Sequence, residues 1–88
     1  MKTVRLTLEN KRDVAMLVFV EPEAIDIWLQ PGEVCEVVAP KEKEEAHFEL
    51  QHTDEGVTIF PSAGCGSISV FQKEVQLECG HQRPNGTR

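Results

Sequence analysis

Side chains alternate between apolar and polar with a period of two along most of the chain, and the alternation is cut every few residues by Pro, Gly, Asn or Asp. That pattern presents one apolar face per short segment and is the signature of β-strands; an amphipathic helix would repeat its apolar residues at three and four. Val4, Leu6 and Leu8 share one face of a first strand, with Thr3, Arg5, Thr7 and Glu9 on the other. Glu9 to Asp13 reads as a polar turn, and Val14 to Val20, apolar on both faces, predicts a strand in mid-sheet or covered on both sides.

Pro22 interrupts pairing, and Ile25, Ile27 and Leu29 then alternate with Asp26, Trp28 and Gln30. Pro31-Gly32 has the residues of a type II turn, and with Val34 to Ala39 as the return strand the spacing predicts a hairpin. Ala46, Phe48 and Leu50 alternate with His47, Glu49 and Gln51, and Asp54-Glu55-Gly56 turns the chain into Val57 to Phe60, a second predicted hairpin. Pro40 with Lys41 to Ala46 suits a helical turn or a loop; the alternation at Phe48 and Leu50 favours loop into strand. Ile68 to Phe71 and Val75 to Cys79 complete the set. The expected fold is all-β, a small antiparallel β-sandwich or partly open barrel of about seven or eight short strands.

With 88 residues there is room for one domain, placed at residues 1–79, followed by a flexible C-terminal tail at 80–88 that has no apolar anchor. The formal net charge is -6, and the basic pairs Lys11-Arg12 and Lys41/Lys43 are few or diluted by Glu, which disfavours nucleic acid and anionic membrane as partners. The apolar run from Val14 to Val20 falls far short of the roughly 20 residues of a membrane span. It is also flanked by acids, unlike a signal peptide, so a cytoplasmic location is expected. Three cysteines at uneven spacing do not form a disulfide framework.

No motif of high specificity marks a site, and binding is expected over catalysis. No cofactor is implied. Trp28 falls by parity on the polar side of its strand, so with Asp26, Glu21 and Glu23 as a charged rim it forms a candidate interaction surface, for a protein partner or for self-association. Glu21, Glu23 and Asp26 do not have the spacing of a calcium loop. The alternative from another class is a metal- or thiol-dependent protein in which Cys35, Cys65, Cys79 and His81 converge, although no C-x-x-C pair is present. Cys65, between Gly64 and Gly66, is the thiol best placed for reactivity, with His47 or His52 as the base it would need. A third reading is a small-ligand-binding β-barrel, which requires an interior cavity.

Overall fold

The computed structural model describes residues 2–85, and all of its regular structure is β. The strands are β1 (Thr3–Glu9), β2 (Met16–Val20), β3 (Ile25–Leu29), β4 (Val34–Pro40), β5 (Phe48–His52), β6 (Gly56–Pro61), β7 (Ser69–Gln72) and β8 (Val75–Gln76). They form two four-stranded sheets, ordered β1-β4-β7-β8 and β3-β2-β6-β5. Pairing is antiparallel throughout except for β2 and β6, which run parallel. Met16, Val18, Val20, Ile27, Leu29, Val57 and Ile59 of one sheet pack in a single core with Cys35, Val37 and Val70 of the other. Alternate residues thus point into the space between the sheets, as the period of two requires.

Several elements depart from the sequence reading. Strand β2 begins at Met16, because Val14 is exposed and its carbonyl is captured by the Asn10 side chain. The turn at Pro31-Gly32 is present, with Gly32 at φ +84° and the Glu33 N–H donating to the Gln30 carbonyl at 3.0 Å. It does not make a hairpin: β3 pairs with β2 and β4 pairs with β1, so the turn carries the chain from one sheet to the other. The hairpin of that region is β2–β3, turning at Glu21 to Ala24, where the Glu21–Pro22 peptide is cis. The β5–β6 hairpin forms as expected, and residues 41–46 hold no helix.

Near the C-terminus, β8 ends at Gln76 and the chain runs on to β3. The Trp28 N–H donates to the His81 carbonyl at 2.9 Å and the Gly80 N–H to the Asp26 carbonyl at 2.7 Å, with His81 bridged to Ile27 in parallel. The stretch read as a tail without apolar anchors therefore has polar ones, and it occupies the otherwise free edge of β3. The last three residues of that stretch, 86–88, lie outside the described residues.

Candidate functional site

The face of the β3-β2-β6-β5 sheet that points away from the core carries Leu17 and Phe19 from β2, Asp26 and Trp28 from β3, Thr58 and Phe60 from β6, and Glu49 and Gln51 from β5. Register brings Leu17 beside Trp28, Phe19 between Asp26 and Thr58, and Phe60 beside Glu49. Val18, Val20, Ile27 and Leu29 fill the core side of the same strands, so neighbouring apolar residues on β2 must fall on the outer side. Phe19, Trp28 and Phe60 are three of the chain's five aromatic residues. Leu17 and Phe19 are half-buried and Phe60 is 39% exposed, while Cys79 and Arg83 reach this face at Asp26, beside Phe19.

Parity placed Trp28 on this face, but it does not project: it is 8% exposed. Its indole N–H donates to Asp26 Oδ2 at 3.0 Å, and its main-chain carbonyl accepts from Gln82 Nε2 at 2.8 Å. Asp26 is equally committed, since Arg83 donates from Nε to Oδ2 at 2.7 Å and from a second guanidinium nitrogen to Oδ1 at 2.6 Å. Cys79 Sγ adds a 3.3 Å contact to the same Oδ1. This fork, and to a lesser extent the indole and thiol donors, holds the Asp26 carboxyl well below the usual carboxylate range against the opposing effect of burial. Glu21 follows β2, with its N–H donating to the Ile59 carbonyl at 3.0 Å, and this continues the β2–β6 register toward Phe60. Glu23 lies in the exposed β2–β3 turn. Phe60, the projecting aromatic, reads in sequence only as the end of the return strand of a hairpin; its opposite parity to Val57 and Ile59 was the available signal.

The thiols are scattered. Cys35 is buried inside β4, where desolvation pushes its thiol up to about 11, so it is an inert core residue. Cys65 sits in the loop after β6, and its main chain is bridged to Lys41. Its Sγ contacts the main-chain carbonyl of His47 at 3.5 Å rather than the ring. The His47 ring instead faces the Glu45 carbonyl at 2.8 Å and Glu49 at 3.3 Å, both acceptors, which raise its pKa by favouring the charged ring. A Cys–His nucleophile pair is not assembled at this loop. Cys35, Cys65, Cys79 and His81 do not converge either: among the described residues no group of three or more His, Cys, Asp or Glu side chains is placed to hold a metal ion. His81 Nε2 is buried with no hydrogen-bond partner among the described residues.

A groove of about 440 Å³ opens where β1 and β5 end, floored by Leu8, Met16, Leu50 and Val57 and rimmed by Lys11 and His52. Leu50 points to the core side of its sheet yet is 45% exposed, because β5 is the outermost strand. Among the described residues no helix is long and apolar enough to cross a membrane. Comparison with family models, with curated proteins and with solved structures finds no match to this chain.

Proposed function

We propose that the protein is a small interaction module or accessory subunit, acting in the cytoplasm, that docks a protein partner on the outer face of the β3-β2-β6-β5 sheet. The observation that carries this reading is the apolar group on this face, Leu17 and Phe19 along β2 and Phe60 diagonal to Phe19 on β6, with Phe60 exposed and on the far side of β2 from Asp26, where Arg83 and Cys79 bind. Trp28 lies beside Leu17 at one side, and Glu49 borders Phe60 at the other. An aromatic centre inside a charged rim is the usual composition of a docking patch. Phe60 is the anchor in this reading, Phe19 and Leu17 extend the apolar surface along β2, and Glu21, Asp26, Glu49 and Glu23 form the rim. The acidic balance of the chain favours a partner with a basic surface. A reducing compartment suits a chain whose three described cysteines are all free, one of them buried.

Affinity capture from the cells that express the protein tests this reading, with Phe60→Lys compared against Thr7→Lys on the outer face of the other sheet. The reading requires that the first substitution abolish capture of a discrete partner and that the second leave it unchanged. Equal capture by both variants, with both folded, removes it.

A further inference from the structure

We infer that β5 is a strand-addition site for an extended segment of a partner protein in which apolar and basic residues alternate. This deepens the proposed docking role and rests on it. Strand β5 has one neighbour, β6, with which it keeps continuous register over five residues, from Phe48 opposite Pro61 to His52 opposite Val57. Hydrogen bonds at the two ends of the hairpin set the phase of the ladder. The Ser62 N–H donates to the His47 carbonyl at 2.9 Å, and Thr53 and Gly56 exchange bonds at 2.9 and 3.3 Å. In an antiparallel pair, bonded and non-bonded positions alternate. Glu49 and Gln51 therefore bond to β6, while the N–H and C=O groups of Phe48, Leu50 and His52 point away from it. Among the described residues no backbone group takes them up.

The other three outer edges differ. The edge of β3 already has residues 80–82 laid along it, β8 is only two residues long, and β1 keeps its inward-facing Val4, Leu6 and Leu8 half-buried. In β5 the inward-facing Leu50 is left open beside the groove floored by Leu8 and Met16, and the strand carries no Pro, Lys or bulge to blunt its edge. A strand added here would extend the sheet as residues 80–82 extend it on the opposite side.

Charge and parity decide what that strand must look like. From Lys41 to Glu55, the segment that contains β5, there are six acidic residues against two lysines; Lys11 and Arg12 stand on the groove side, so the acidic contact for an incoming strand is Glu49 on the outer side. Side chains of an incoming strand alternate between the two faces of the sheet. Those on the groove side would meet Leu50 and the apolar floor. Those on the outer side would meet Glu49, next to Phe60. Apolar residues at one set of alternate positions and Lys or Arg at the other satisfy both sides. A second copy of this chain fits poorly, because its own β5 would bring Glu49 rather than a cation to the outer face.

The test uses the full chain and a synthetic seven-residue peptide of alternating lysine and valine, with two further versions N-methylated at one or the other set of alternate residues. Fluorescence anisotropy of the labelled peptide is expected to show saturable binding. One methylated version should lose about tenfold or more in affinity while the other stays within about twofold, because only one set of peptide N–H groups faces β5. Glu49→Lys, an exposed substitution, should weaken binding several-fold, and amide exchange at Phe48, Leu50 and His52 should slow on binding while that at Arg5 and Thr7 does not. Equal loss in both methylated versions, no binding, or a peptide-free sedimentation run showing a dimer that Leu50→Lys dissociates would overturn the assignment. Persistence of partner capture that depends on Phe60 would then show that the docking reading stands while strand addition fails.

Discussion

The side-chain amide of Asn10 donates to the main-chain carbonyl of Leu29 at 2.8 Å, tying the end of β1 in one sheet to the end of β3 in the other. Asn10 is fully buried, and each polar group it owns has a partner. Nδ2 also donates to the Val14 carbonyl at 2.9 Å, and Oδ1 accepts from the Arg12 N–H at 2.9 Å. Its backbone bonds to Glu33 and Gly32 at 2.9 and 2.8 Å. Both crossings between the sheets at this end, β1 to β2 and β3 to β4, therefore meet on one residue. Removing the amide leaves buried carbonyls without donors, so Asn10→Ala is expected to cost about 3 kcal/mol in urea unfolding. Asn10→Asp should cost as much, since a carboxylate keeps the Arg12 acceptor but turns an anion toward two carbonyls.

The Asp26–Arg83 fork gives the C-terminal segment a pH dependence. Asp26 has a depressed folded-state pKa, so its contribution is fully present above the ordinary carboxylate value of about 4 and is lost as pH falls below that toward the folded value. Thermal unfolding should therefore show no decline from this group between pH 7 and pH 5 and a decline below about pH 4. Asp26→Asn should flatten that acid limb. Arg83→Ala is expected to lower global stability only slightly, because the guanidinium is half exposed, and to speed amide exchange at Gly80 and Trp28 first.

Lys73 and Glu74, the two residues between β7 and β8, have φ of 51° and 69°. Two consecutive left-handed residues define the tight hairpin turn that Asn-Gly adopts without strain. Replacing the pair by Asn-Gly should stabilise the protein by about 1 kcal/mol, read as a rise in denaturation midpoint at unchanged slope.

Gly56 reads in sequence as a turn residue, but the parallel approach of β2 makes the greater demand on it. A Cβ at that position would penetrate the main chain of Leu17. Gly56→Ala should cost about 2–3 kcal/mol, well above the cost of the same change at an open turn. Gly32 provides the comparison: it needs its positive φ, but the space a methyl group would occupy there is open, so Gly32→Ala should cost about 1 kcal/mol.

The strands themselves were legible because period two is a local property: Val4, Leu6 and Leu8 or Phe48, Glu49 and Leu50 declare their faces without reference to any partner. Partners were not legible. Pro31-Gly32 specifies a turn, but whether the strands on either side pair depends on β2 offering a closer mate for β3 and on Asn10 fixing the crossing. Parity put Trp28, Asp26 and Gln30 on one face. It could not reveal that Arg83, 57 positions downstream of Asp26, folds back onto that carboxylate, because polar anchors leave no hydrophobic pattern. Phe60 was hidden by its own strand, where Val57 and Ile59 supply the burial and only parity separates it from them.

The most direct measurement of the docking claim is site-specific photo-crosslinking with benzoylphenylalanine at position 60, and at position 7 as the control, in the cells that express the protein. A discrete adduct from position 60 that disappears when Phe19 is changed to Ser, with none from position 7, is the result expected. Adducts from position 7 alone, or none from position 60 in a folded protein, would contradict it.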